Sequence, residues 1–337
     1  MKYSGIDLHS NNSVIVVSDE TDHVVCNRRV PNDLRTVLMT LEPHREEIVA
    51  VVVESTFNWY WLVDGLQAAG YTVCLANTAA MKRYEGLKYS DDDTDAAHLA
   101  HLLRLGILPT GYICPVEERG LRDLGRKRLQ LSRSRTQHIL AVESNVARQT
   151  GGRITSRAVK ELTEEAVKGL GFSADVSYAM AANVAVIQAL SAQIEKLEAR
   201  LHTRMRPRAE FALLITVPGI GEILATTIVL EIANIERFAG VGNFASYARC
   251  VDSKRLSNGK LKGRGNVKNG NKYLAWAFVE AAHFARRYCP EAKRFYERKK
   301  SRTNPIVASK ALAHKLARAC YHMLKEKKPF DVTRCFA

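Results

Sequence analysis

No run of about 18 apolar residues occurs anywhere in the 337-residue chain, so no segment is expected to cross a membrane as a helix. The opening stretch, MKYSGIDLHS, lacks the apolar core that a secretory leader needs. The seven cysteines are odd in number and scattered, and none are spaced as CxxC. That excludes a disulfide frame or a zinc cluster as the organising device, and reduced, mostly buried thiols of a cytoplasmic protein are expected. No glycine-rich phosphate loop follows the first apolar segment, which disfavours ATP-driven chemistry. Acid is also scarce: 35 Asp and Glu face 50 Lys and Arg, for a formal charge of +15. An excess of that size points to a polyanionic partner, nucleic acid first and a membrane surface second. The remaining composition, 46% hydrophobic and 25% charged, is that of a globular protein with room for two or three domains.

Against this shortage, the one place where acid is concentrated stands out. Ser90–Ala100 reads SDDDTDAAHLA and places Asp91, Asp92, Asp93 and Asp95 within five positions. Such neighbours repel by about 1 kcal/mol per close pair even in water. A divalent cation removes that penalty, because Mg²⁺ binds through carboxylates together with substrate phosphates. The following Ala-Ala-His-Leu pattern predicts a helix, with Asp92 and Asp95 on one face. An acidic first turn that only complements the helix dipole is the alternative.

Upstream, Tyr3–His9, Ser13–Ser18 and His23–Arg28 read as three strands of a meander, and Asn32–Leu41 has helical spacing. Glu47–Glu54 is a continuous apolar run bounded by charge, as expected of a strand buried on both faces. Phe57–Ala69 reads as a helix and Tyr71–Ala76 as another buried strand. The order β-β-β-α-β-α-β, followed by the acidic helix, is that of an α/β ribonuclease H-like domain over residues 1–113. In that order Asp7 lies on the first strand, Glu54 ends the fourth, and Asp92 and Asp95 open the helix after the fifth. Ligand groups in such sheets gather at the carboxyl ends of the strands. Two cations held there stabilise the attacking and leaving oxygens of phosphoryl displacement. Asp7 as a turn aspartate and Glu54 as a strand-end charge are the bland readings. His9 reads as a half-exposed loop histidine, with a supporting role beside the acids as the alternative. Trp59 and Tyr60 are expected in the core.

Residues 114–207 read as helices. Glu117–Arg148 and about Ala174–Arg206 are both long, separated by a break at Gly151–Gly152, and fit an antiparallel coiled-coil hairpin that also suits oligomerisation. Its basic positions, Arg126 and Arg133 among them, are candidates to grip a phosphate backbone, or else a solvated charged face. Residues 208–337 read as a mainly helical C-terminal domain. It opens on a helix-hairpin-helix pattern around Val217-Pro218-Gly219-Ile220-Gly221, where Gly219 and Gly221 let backbone amides approach a phosphate. Between Lys254 and Lys272 there are seven Lys or Arg and no acid: Lys254, Arg255, Lys260, Lys262, Arg264, Lys268 and Lys272. Its glycines predict a loop that tracks a phosphate backbone. Ser253 and Ser257 lie in it, and cations beside a serine would offset charge developing during attack on a phosphodiester.

GIDLH, VVEST, SDDDTDAAHLA, VPGIG and FASYARCVDSKRLSNGKLKGRGNVKNGNKYLAWAFVEAA, in this order, resemble the transposases of insertion-sequence family one hundred and ten, the last block being most like the subgroup eleven-eleven; the Piv-type DNA invertases are relatives. The likeness covers nearly the whole chain. It implies that the domain over residues 1–113 is RuvC-like, with an Asp-Glu-Asp-Asp metal set on Asp7, Glu54, Asp92 and Asp95, holding Mg²⁺ or Mn²⁺, and that a C-terminal serine nucleophile forms a phosphoserine link to DNA. By motif that serine is Ser257. It also implies a structured guide (bridge-type) RNA pairing with donor and target DNA, and homodimers that join into a homotetramer in which one protomer's acids act with another's serine. The chain departs from the pattern in two places. Asp91 and Asp93 could shift the metal pair, and DSKRLSN replaces a segment with Pro-Arg, which keeps Ser253 open as nucleophile. A RuvC-like structure-selective nuclease using metal-activated water, or a non-catalytic nucleic-acid-binding scaffold, are the competing functions.

Overall fold

The computed structural model describes residues 1–81, 92–251, 254–264 and 269–337, and divides into two compact units, Met1–Cys114 and Pro115–Ala337. Ser253 and Lys268, named above, lie outside the described residues, as do Ser90 and Asp91.

The first unit contains β1 (Lys2–Leu8), β2 (Asn12–Asp19), β3 (Val24–Pro31), α1 (Leu34–Leu41), a 3-10 segment (Glu42–Glu47), β4 (Ile48–Glu54), α2 (Tyr60–Ala68), β5 (Val73–Ala76), α3 (Asp92–Arg104) and β6 (Thr110–Gly111). One mixed sheet holds all six strands in the order β3-β2-β1-β4-β5-β6. β1 is antiparallel to β2 and parallel to β4, and β5 is parallel to β4. This arrangement is consistent with a ribonuclease H-like domain. The segment around Ile107–Pro115, expected only as a boundary, adds β6 antiparallel to β5.

Alternation along the strands assigns the two faces. Ile6, Leu8, Val51 and Val53 pack with Leu62, Val63 and Leu66 of α2 and with Val37 and Leu41 of α1. Val14, Val16 and Val52 point the other way, toward Ala96 and Leu99 of α3. Gly5 lets α3 come close, since a Cβ there would lie 2.0 Å from the carbonyl oxygen of Ala96. The glycine of GIDLH and the alanines of DAAHLA are thus two sides of one contact. At the far end of α3, Arg104 and His101 both hold Asp22, at 2.5 and 2.9 Å. Trp59 is buried against the α2 core.

Among the described residues, the second unit is helical apart from one hairpin. It runs α4 (Val116–Thr150), α5 (Ser156–Glu161), α6 (Glu164–Lys168), α7 (Ala174–Met205), α8 (Ala209–Ile215), α9 (Glu222–Ile232), a 3-10 turn (Ile235–Arg237), α10 (Val241–Tyr247), β7 (Lys254–Ser257), β8 (Lys260–Arg264), α11 (Lys272–Tyr288), α12 (Pro290–Arg302), α13 (Pro305–Glu326) and α14 (Val332–Phe336). The two long helices α4 and α7 pack on each other, with Ile139 and Val142 meeting Met180, Val184 and Ile187. Between them lie two short helices capped by Thr155 and Thr163, where the sequence showed only a break. A larger core joins Leu121 of α4 and Leu201 of α7 to α8, α9, α11 and α13, so the helices before and after residue 207 share one interior. All seven cysteines are free thiols, and no helix among the described residues is long and apolar enough to cross a membrane.

Candidate active site

At the carboxyl end of β1 the chain turns sharply, and the turn is held from two sides. The side-chain amides of Asn32 and Asn58 both donate to the carbonyl oxygen of His9, at 3.0 and 2.9 Å. Ser13 fixes Asn32 and Thr56 fixes Asn58. This clamp places His9 over the sheet edge next to Asp7. Asp7 is 4% exposed, an uncommon degree of burial for a carboxylate. The His9 ring nitrogen Nε2 lies 3.4 Å from Asp7 Oδ2 and 3.3 Å from Asp92 Oδ2. Asp92 reaches this point because α3 begins there and is drawn down by the Gly5 contact. Asp7, His9 and Asp92 each offer a ligand atom within 4.8 Å of the others.

Two features mark the cluster electrostatically. His9 Nε2 is buried and is close to both carboxylates without being aligned for a hydrogen bond to either. Arg29, from β3, two strands from β1 in the sheet, donates to Asp92 Oδ2 at 2.6 Å. That hydrogen bond holds the Asp92 carboxyl below the usual carboxylate range, with the charge of His9 a smaller contribution and burial opposing both.

The four expected acids are therefore placed as follows. Asp7 and Asp92 converge. Glu54 follows Val53, the partner of Ile6, so it stands beside Asp7 in register on the adjacent parallel strand and, by alternation, on the α3 face. Asp95 lies on the first turn of α3, three positions past Asp92. Neither Glu54 nor Asp95 belongs to the group whose ligand atoms lie within 4.8 Å. Asp93 is on the same turn and exposed. His9, expected as a loop histidine, sits inside the cluster, and Arg29, Asn32 and Asn58 had no signal in the sequence. Their roles depend on strand pairing.

In the second unit residues 254–264 of the lysine-rich stretch form a hairpin, where a loop was expected. Asn258 and Gly259 both have positive φ, 50° and 72°, as a tight two-residue turn requires. Ser257 is exposed, the last residue of β7, and directly opposite Lys260 in the register. Lys262 is also exposed, and Lys254, Arg255 and Arg264 lie on the same two strands. The base of this region is pinned. The Asn271 backbone N–H donates to the Tyr247 carbonyl at 2.6 Å, and Arg249 donates to the Gly270 carbonyl at 3.0 Å. Gly270 has φ +87°, with the Tyr247 carbonyl 2.6 Å from where a Cβ would sit.

Two of the expected phosphate-binding positions make contacts within the fold. Arg126 is not a free cation: it makes two hydrogen bonds, of 2.7 and 2.8 Å, to the buried carboxylate of Glu231 and lies over the Tyr273 ring. Gly219 packs against the backbone of α11, 2.4 Å from the Ala285 nitrogen at the Cβ position, so its glycine answers to helix approach rather than to a phosphate. Gly221, at the start of α9, has open space around it. Arg133 and Lys272 are exposed and line one depression of about 440 Å³ beside Arg126 and Tyr273.

Comparison with known proteins agrees with both halves. Residues 4–148 match a transposase family defined by a DEDD domain, and residues 211–297 match the transposases of the IS116/IS110/IS902 family. A Pseudomonas aeruginosa protein named "Probable family 20 transposase" is 25% identical over 338 aligned positions, covering 96% of each chain. A Streptomyces coelicolor mini-circle protein, to which the transposase role of IS117 is ascribed, is 29% identical over 138 positions, 39% of this chain and 32% of that one. The class defined by an acidic sheet edge and these matches is that of DNA-cutting and recombining transposases. Within it, the chain belongs to the IS110 family.

Proposed function

We propose that the protein is an RNA-guided DNA recombinase of an insertion sequence, which cuts and rejoins DNA through a serine ester at a Mg²⁺- or Mn²⁺-dependent site. The convergence of Asp7, His9 and Asp92 at one sheet edge carries this reading. The donor chemistry fits a divalent cation: two carboxylates from separate elements suit Mg²⁺ and Mn²⁺, and a buried imidazole nitrogen beside them lacks a hydrogen-bond partner. Asp7 and Asp92 would hold the ion, with Glu54 and Asp95 available from the same edge. When bound there, it offsets charge developing on the scissile phosphate. Arg29 holds Asp92 ionised and oriented, and the asparagine clamp keeps the β1 turn from moving.

Ser257 is the proposed nucleophile. Its hydroxyl loses a proton and forms the new O–P bond. The P–O bond to one deoxyribose breaks, and that oxygen leaves as a hydroxyl. The ester conserves the bond energy, so the reverse attack by a different strand end rejoins DNA without ATP. Lys260 and Lys262 beside it offer cations to neighbouring phosphates, as Arg133 and Lys272 do on the helical face. α4 and α7 as a coiled-coil hairpin, the α8–α9 turn as a helix-hairpin-helix through Gly221, and assembly as dimers forming a tetramer all belong to the same proposal. A guide RNA would deliver sequence specificity by base pairing and leave the protein to read backbone and shape.

The test is a covalent-adduct assay with donor and target DNA, bound RNA and Mg²⁺. Ser257→Ala is expected to abolish protein–DNA adducts. Adducts that survive there and vanish in Ser253→Ala would move the nucleophile. Cleavage without any adduct would make the protein a water-using nuclease, and nucleic-acid binding unaffected by EDTA with no cleavage would make it a scaffold.

A further inference from the structure

One concavity of the second unit is remote in sequence from every site considered so far. It is a cleft of about 680 Å³ between α12, α13 and the turn into α14. Seven Lys or Arg residues line it; Arg334 of α14 is paired with Glu326, which leaves six others: Arg298, Lys299 and Arg302 from α12, Lys315 and Arg318 from α13, and Lys328 just beyond. The helical spacing explains the gathering, since positions 298 and 302, and 315 and 318, fall on single faces.

The cleft is short of anions. Its two carboxylates are already engaged. Glu326 takes two hydrogen bonds of 2.6 Å from Arg334, and Asp331 caps α14 by accepting from the Arg334 backbone N–H. The ion pairs that α12 does form, Glu291 with Arg294 and Glu297 with Lys300, involve none of the six. Among the described residues, none of the six has a carboxylate within ion-pairing distance. The wall behind them is built rather than loose. Phe295 and Phe336 pack together, and Lys315 lies over both rings at 5.3 and 5.9 Å. Like charges held this close on a firm wall are mutually repulsive, and a polyanion removes the repulsion.

We infer that this cleft is a second DNA-backbone site, gripping the phosphates of one strand of a duplex through residues separate from those of the serine hairpin. The inference rests on the reading of the protein as a DNA recombinase, which supplies DNA as the polyanion. A recombinase must hold DNA firmly on both sides of a cut, and a phosphate grip that makes no base contacts serves any flanking sequence.

Duplex binding by the full-length protein, measured by fluorescence anisotropy across a salt series, tests it. The triple variant Arg302→Gln, Arg318→Gln, Lys328→Gln changes only exposed side chains, and an unchanged melting temperature checks its fold. Each lost phosphate contact flattens the plot of log affinity against log salt by about 0.9. The triple variant is therefore expected to flatten it by about 2 to 3 and to weaken binding at least about tenfold near 0.1 M salt. Lys299→Glu alone is expected to act in the same direction and serves if the triple variant does not fold. An unchanged slope in the cleft variants, with a reduced slope in Lys260→Gln, Lys262→Gln, overturns the cleft while leaving the DNA reading intact. If the unmodified protein itself binds no duplex, the reading of function fails instead. Loss of affinity for folded RNA but not for duplex DNA, or loss of self-association alone, would also overturn the assignment.

Discussion

Among the described residues two carboxylates are buried, Asp7 in the first unit and Glu231 in the second, and their surroundings are built in opposite ways. Glu231 lies inside the helical unit and every oxygen of it is matched: Arg126 meets it with two hydrogen bonds and Asn271 with a third, at 2.7 Å. Asn271 then caps α11 by accepting from the backbone N–H of Tyr273 and Leu274. Such a network fixes one arrangement of α4, α9 and α11 and leaves nothing for a ligand to do. At the sheet edge of the first unit, two carboxylates close on one imidazole, one of them nearly buried. The imidazole nitrogen is unmatched, and a single arginine serves one acid only. Arg29 stabilises Asp92 but leaves its repulsion with the buried Asp7 in place, so on the proposed reading the cluster makes physical sense as a place kept ready for a cation. The lesson is that burial and charge alone do not separate the two; what sets the sheet edge apart is that two carboxylates and an imidazole from separate elements converge there.

The comparison is most exposed to a change at Asp7. Asp7→Asn keeps the shape and removes the charge. Strand cleavage is expected to fall by about 10³-fold or more, as for loss of a principal electrostatic group. The melting temperature should hold or rise, since repulsion with Asp92 is relieved. Cleavage assays beside thermal melts decide it, and a large drop in stability would make Asp7 structural like Glu231.

Glu231→Ala is the mirror experiment. It leaves a guanidinium and an amide unmatched in the interior, and about 3 to 5 kcal/mol of unfolding free energy is expected to go. Urea titration followed by circular dichroism measures this. Loss of cleavage at full stability would contradict the structural role. Gly5→Ala comes next, at roughly 1 to 3 kcal/mol, because the added methyl must push α3 off the sheet. It should lower cleavage as well, by moving Asp92 away from Asp7, and cleavage kept at normal rates would show that α3 is not what delivers Asp92.

How far the sequence alone carries depends on the range of each contact. β1 and β4 are legible because their apolar runs are local, and Asp7, Glu54 and Asp92 follow from strand ends and a helix start. His9 is not legible, since a histidine after a strand has no pattern until Asn32 and Asn58 pull its carbonyl into place. Gly219 shows why a motif misleads: its glycine faces Ala281 and Ala285, more than 60 positions later. Arg126 meets Glu231 at a separation of 105 residues, beyond any periodicity. The hairpin was legible, because Asn258-Gly259 is a turn signal, but the surrounding glycines and lysines argued more loudly for a loop.

The smallest expected effect concerns Asp22, which anchors the opposite end of the helix that carries Asp92. Hydrogen bonds from Arg104 hold its carboxyl below the usual range, with burial opposing and His101 assisting. A carboxyl depressed by folding stabilises the protein above its unfolded value, near 3.9, and loses that contribution as pH falls toward the folded value. Asp22→Asn should therefore cost stability at neutral pH, and the difference from the unmodified protein should shrink below about pH 4. Because the pair is about one-third exposed, the cost is expected to be under about 1 kcal/mol. Cleavage at neutral pH should change less than about threefold if the Gly5 contact, not this clamp, sets where α3 begins. A greater loss of cleavage with little loss of stability would mean that the acidic edge is tuned from the far end of α3, and the division between a matched structural cluster and a ready catalytic one would need a third, connecting element.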